Sequence, residues 1–207
     1  MSSAAVAAHE PPPGTGRFGM WVFLASEVLF FGGVFAAYAY GRSHWADGFA
    51  AASRETHVVI GTANTAILLT SSACVALASA CAELGRKRHW IPRLLAAAAA
   101  LGLAFLALKG VEYHAEWSEH LVPGATFRLA GHRGAELFFW LYFVATGLHA
   151  LHLSIGVGVL AALAWGTQGR RHWASAASVD AAGLYCQFVD VVWICLYPLI
   201  YLAGRSP

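Results

Sequence analysis

Hydrophobic positions in this chain come in long unbroken runs, not in alternation. Five runs stand out, at about 18–41, 57–82, 91–113, 135–165 and 179–203. Each reaches the ~20 residues needed to cross a hydrocarbon layer of about 30 Å. In lipid such runs must be helices, because every backbone polar group needs a partner within its own segment. The fourth run is long enough to tilt or to protrude. No alternating segments of about ten residues suggest a membrane barrel. The pattern predicts an all-α, polytopic membrane protein, a bundle of five transmembrane helices over 17–207. A flexible tail containing Pro11, Pro12, Pro13 and Gly14 is expected over 1–16.

Composition strengthens the membrane reading. Of 207 residues, 58% are hydrophobic and only 12% are charged, against about 25% charged in an ordinary soluble domain. A formal net charge of +2, without a basic stripe, gives no reason to expect nucleic-acid binding. Cys74, Cys81, Cys186 and Cys195 all fall in apolar segments and form no CxxC pair. They read as small buried apolar side chains. A cleaved signal peptide is not expected, since no basic residue precedes Arg17 and the first apolar run is of spanning length.

Loop charge suggests an orientation. One side carries seven basic residues: Arg17, Arg86, Lys87, Arg88, Arg93, Arg170 and Arg171. The other carries five: Arg42, Arg54, Arg128, Arg133 and Arg205. The positive-inside rule then places the N terminus in the cytoplasm and the C terminus outside. Trp45, Trp90, Trp117, Trp165 and Trp173 sit at or just beyond run ends, as an aromatic belt would have them. Gly32-Gly33, Gly147, Gly156 and Gly158 suit close helix packing. No internal repeat supports an inverted-repeat transporter.

Ionisable groups inside a bilayer cost several kcal/mol unless paired, so each needs a reason. Glu27 lies about ten residues into the first run, roughly 15 Å deep at 1.5 Å per residue. Asp190 lies at a similar depth in the fifth run. His149 and His152 are three apart and share a face of the fourth helix. Glu27, His149, His152 and Asp190 are therefore expected to form an interior polar cluster. Asn64 and Thr65 add polarity to the second helix. Lys109 and Glu112 sit towards the end of the third and could pair. Three readings remain open for this set: structural pairing or docking of a partner or lipid, a proton relay or ion site, and haem or metal ligation. In the first, a lone carboxyl is neutral or hydrogen-bonded, because desolvation disfavours its charged form. Against the third, both mid-membrane histidines share one helix, no Glu-x-x-His occurs in a run, and the other histidines, His114 among them, fall at run ends or in loops. No phosphate-binding loop, nucleophile elbow, HExxH or dinucleotide fingerprint is present.

Several stretches, in order, resemble cytochrome c oxidase subunit III. They are Ser26-Glu27-Val28-Leu29-Phe30-Phe31; Asn64-Thr65 with Leu68-Leu69 and Ser71; Lys109-Gly110-Val111-Glu112-Tyr113 continuing to Glu119-His120-Leu121-Val122-Pro123-Gly124; Phe143 to His152 with Gly156; and Phe188-Val189-Asp190-Val191-Val192-Trp193 with Leu196-Tyr197. The resemblance implies a subunit without haem or copper of its own. Its expected partners are a haem–copper subunit I, which carries the oxygen chemistry, and a subunit II, with bound phospholipid. It implies support of assembly, sustained turnover and proton uptake. Glu27 matches the family carboxylate that reacts with a hydrophobic carbodiimide. Two departures stand out. The long family form has seven helices where five are expected here, and Tyr185-Cys186-Gln187 stands where the family often has Tyr-Trp-His. These departures leave room for a subunit III-like relative that accompanies a nitric oxide reductase or a less common oxidase, and an independent membrane transporter is the remaining alternative. Alanine and glycine richness and the lack of an organellar leader favour a bacterial inner membrane.

Overall fold

The computed structural model describes residues 15–85 and 88–205, with side chains from residue 18 onwards. The expected tail lies outside the described residues up to Gly14, whereas Thr15 and Gly16 already belong to the first helix. Arg86 and Lys87 of the basic cluster also lie outside. There are six α-helices: α1 Thr15–His44, α2 Ala46–Glu55, α3 Val58–Glu83, α4 Ile91–Ser118, α5 Ala135–Gln168 and α6 Ala176–Tyr197. Five of them are long and apolar enough to span a membrane; α2 is not. No strand occurs among the described residues.

The spanning helices run up and down. The described connections therefore fall on two faces, one bearing α2, loop 119–134 and Gly204–Arg205, and the other bearing the short helical turn Arg88–Trp90 and the 169–175 turn. α3 and α4 pack side by side, and α5 and α6 close the bundle against them, while α1 leans on α5 and α6 from outside. Much of α1 is bare in consequence: Phe18, Trp21, Val28 and Leu29 are all exposed. An apolar exposed face is stable only in lipid or against another apolar chain.

Within the bundle the buried positions follow helical spacing. On α3 they are Gly61, Asn64, Leu68, Ser71, Val75, Ala78 and Ala82. On α4 they include Leu95, Ala98, Gly102, Phe105, Lys109, Glu112 and Glu116. Steps of three and four hold one face towards the neighbours. Ser71 Oγ donates to the Ala98 carbonyl at 3.1 Å, joining α3 to α4. A Cβ on Gly102 would lie 2.5 Å from Val157 Cγ2, so this glycine sets how closely α4 and α5 approach.

Local chemistry fixes the helix ends. Pro92 stands in the first turn of α4, where its missing N–H costs no hydrogen bond. Ser175 caps α6 by accepting the Ser178 N–H at 3.2 Å. α4 ends in a Schellman motif: Leu121 N–H reaches the Glu116 carbonyl at 3.0 Å and His120 N–H the Trp117 carbonyl at 3.2 Å. His120 takes the left-handed position, φ 56°, that glycine would more often fill. α5 ends the same way, with Arg170 at φ 49°.

Two elements depart from the sequence reading. Residues 46–55, expected as loop, form α2. This helix lies across one end of the bundle, burying Phe49, Ala52 and Ser53. Ser53 Oγ donates to the Ile200 carbonyl at 2.7 Å and accepts the Gly204 N–H at 3.2 Å. The second departure is that α6 passes into a π-helical turn, Pro198–Leu202.

Candidate functional site

Two polar centres sit among the spanning helices. The larger joins α4, α5 and the π-turn. Lys109 is 3% exposed and Glu112 0%. The lysine ammonium donates to Glu112 Oε2 at 2.9 Å, to the Tyr142 hydroxyl at 2.8 Å and to the Tyr201 hydroxyl at 2.9 Å. Those three bonds use all of its donors. Tyr201 in turn donates to Glu112 Oε1 at 2.7 Å. The ammonium also lies 4.6 Å from the centre of the Tyr142 ring and 5.6 Å from that of Trp193, within cation–π range.

The π-turn makes this possible. Its extra residue per turn, a local irregularity often found at functional sites, brings Tyr201 onto the Lys109–Glu112 pair. Gly61 on α3 leaves room for it, since a Cβ there would sit 2.8 Å from the Tyr201 ring. Glu112 was expected near the helix end, able to pair with Lys109. The two do pair, but in the closed interior.

Glu116, one turn further, is also 0% exposed. The Tyr142 hydroxyl lies beside it, yet neither carboxyl oxygen has a hydrogen bond of normal geometry. The Tyr142 oxygen accepts from Lys109, which leaves the phenol hydrogen as the one donor it can offer Glu116. The third apolar run read from the sequence, about 91–113, stops short of Glu116. The signal for Glu116 was the spacing 105, 109, 112, 116, which continues the buried face of α4. His114, read as a loop residue, lies within α4.

The smaller centre joins α1 to α5. His152 Nε2 lies 3.1 Å from Glu27 Oε2. The side chains are 13% and 17% exposed, so the pair borders the apolar exterior. His152 Nδ1 lies 2.8 Å from the Leu148 carbonyl. A carbonyl only accepts, so Nδ1 carries a hydrogen. One further proton then lies between Nε2 and Oε2. Whichever atom holds it, the pair as a whole is neutral, which suits its depth. Phe31 meets the imidazole edge-on at 5.4 Å, and Tyr185 donates to the His152 carbonyl at 2.9 Å.

The other two members of the expected cluster lie apart from this pair. His149 is buried against Trp193 at 4.9 Å and Phe105 at 5.5 Å, and neither ring nitrogen has a partner. Asp190 on α6 has Ser72 of α3 and Cys186 for neighbours. Glu27 and His152 come together, and the four do not share one hydrogen-bonded cluster. Asn64 is fully buried on α3, and its amide atoms also lack partners. Thr65 beside it accepts the Trp193 indole N–H at 3.0 Å. Among the described residues, no group of three or more His, Cys, Asp or Glu is placed to hold a metal ion.

Comparison with known proteins gives a consistent answer. A sequence profile of the family described as Cytochrome c oxidase subunit III matches residues 4–205. A cytochrome c oxidase subunit 3 of Thermostichus vulcanus is 32% identical over 205 residues, covering 96% of this chain and 92% of the relative. A Pseudomonas aeruginosa protein named cytochrome bo(3) ubiquinol oxidase subunit 3 is 31% identical over 192 residues, covering 90% and 84%. An Aeropyrum pernix protein named heme-copper oxidase subunit I+III is 34% identical over 202 residues, which is 90% of this chain and 22% of that longer one.

Proposed function

Because the chain belongs to the cytochrome c oxidase subunit III family, we propose that it is the non-catalytic third subunit of a haem–copper oxidase, seated in the membrane beside subunit I and near subunit II. In this reading haem and copper reside on those partners, and this chain supports assembly, durable turnover and proton uptake. The joined I+III name of the Aeropyrum pernix relative supports adjacency to subunit I. The electron donor, cytochrome c or a quinol, is chosen on the partner.

The observation that carries the reading is the Glu27–His152 pair. It joins α1 to α5 through one hydrogen bond between two atoms 3.1 Å apart and borders the apolar exterior. The hydrogen between the carboxylate and the imidazole can sit on either atom without a net charge arising at this depth. Asp190, His149, Asn64 and Glu112 are proposed to support the bundle around it. The test is Glu27→Ala in the assembled oxidase. Haem content should stay normal while activity decays faster over repeated turnover; unchanged durability would refute the role.

Bound phospholipid has its own support. Between α1 and α6 runs an open groove of about 680 Å³ with Phe35, Tyr38, Cys195 and Leu199 along it and Arg42 and Ser43 at one end. Arg42 donates to the Ala203 carbonyl at 3.3 Å, and no described carboxylate forms an ion pair with it. An apolar trough ending in a guanidinium fits an acyl chain and an anionic headgroup. Arg42→Ala should lower the phospholipid that co-purifies with the complex. We place the chain in a bacterial inner membrane with α2 and the C terminus on the outer face, following the basic loop residues.

A further inference from the structure

We propose that a bound water molecule at Glu116 links the buried Lys109 centre to the membrane face that carries α2, by way of Glu119. The starting point is a shortage of donors. All three hydrogens of Lys109 are engaged. Tyr201 gives its hydrogen to Glu112. Thr146 gives its own to the Tyr142 carbonyl at 2.7 Å, so the 2.6 Å bond between Tyr113 and Thr146 uses the Tyr113 hydrogen. Only the Tyr142 hydroxyl remains near Glu116, and it can serve one oxygen. A carboxyl group has two, so one stays unserved whether the group is ionised or not. Helix geometry offers no relief, because α4 closes its last turn with Leu121 N–H on the Glu116 carbonyl.

Buried polar groups left without a protein partner are the usual hosts of ordered water, which itself needs two to four polar contacts. Glu116 and Tyr142 supply contacts on one side. Glu119 supplies the other: it caps the same helix end three residues on, near enough for its charge to act on Glu116. A single water that hydrogen-bonds both carboxyl groups would bridge side chains three apart on one helix end. Glu119 is half-exposed and faces His57 at 3.7 Å and Arg128 at 3.9 Å. The α2 face thereby connects with a charged centre that is otherwise sealed. A metal cation fits poorly, since it would compete with the Lys109 ammonium and find too few oxygen ligands.

The test is hydroxyl-radical footprinting of the assembled complex in ¹⁸O-labelled water, with labelling read at Tyr142. This side chain is 1% exposed, as is Phe138, so bulk solvent reaches neither. Tyr142 should take up label well above Phe138. Glu116→Gln should keep that label and Glu116→Leu should lose it. Protection of Tyr142 equal to that of Phe138, or label that persists in Glu116→Leu, overturns the proposal. Should the leucine variant not assemble, a high-resolution map of the parent complex decides. Density within hydrogen-bond distance of Glu116 and Glu119 supports the water. An empty carboxyl, in a map that shows other buried waters, rejects it, as does density that grows when sodium is replaced by a heavier alkali ion.

Discussion

Lys109 and Glu112 form an ion pair that is almost completely buried. Removing one partner of such a pair leaves an uncompensated buried charge, at a cost of about 3–5 kcal/mol, whereas replacing both by apolar groups of similar size is often close to neutral. Lys109→Met should therefore destabilise the chain strongly, and Lys109→Met combined with Glu112→Leu should recover much of the loss. Thermal inactivation of the detergent-solubilised complex measures both; a double variant as poor as the single would show that the hydrogen bonds to Tyr142 and Tyr201 dominate instead. Tyr201→Phe removes two bonds of this centre and should cost less than Lys109→Met by the same assay. At this scale the sequence was partly legible. Buried carboxylates announce themselves by their rarity in apolar runs, which picks out Glu27, Glu112 and Asp190. Partners are another matter. That Glu27 meets His152, while His149 turns to Trp193, depends on how α1 and α6 pack around α5, and spacing along a single helix cannot say this.

Helices show the same division. The five spanning runs were visible because a bilayer demands long apolar stretches, and their limits fall within a few residues of the sequence reading except where polar ends extend α1 and α4. α2 was hidden: ten residues with Asp47, Arg54 and Glu55 look like loop. It is held in place by what lies beneath it. Gly48 passes close to the Arg133 backbone and Gly204 close to the Ala50 backbone, while Arg128 of the loop 119–134 pairs with Glu55. The π-turn was equally hidden, because its extra residue is fixed by tertiary contacts around Tyr201. The π-turn meets α3 at Gly61, where a Cβ would press on the Tyr201 ring. Gly61→Leu should force that ring away from Lys109 and destabilise the complex by roughly 1–3 kcal/mol, as overpacking does. Gly110→Leu, on an open stretch of α4, should be neutral. Equal loss in the two variants would mean that glycine itself, and not the Tyr201 contact, was responsible.

Across the whole molecule, many large apolar side chains of the described helices face outwards. α1 is the clearest case, attached by a few contacts and by the Glu27–His152 bond while presenting aromatic and aliphatic side chains outwards. Such a surface has to be covered by lipid or by another membrane chain. Sidedness is testable independently of function. Single cysteines placed at Asp47 and at Arg170 should react with an impermeant thiol reagent from opposite sides of the membrane, with Asp47 labelled from the periplasm. The most direct measurement is gentle detergent purification of the tagged chain, followed by mass spectrometry and an absorption spectrum of what comes with it. A haem–copper subunit I should co-purify and carry all of the haem absorption, which should vanish once the subunits are separated and this chain is examined alone. A haem band that stays with the isolated chain, or a chain that elutes folded with no oxidase partner, would contradict the account.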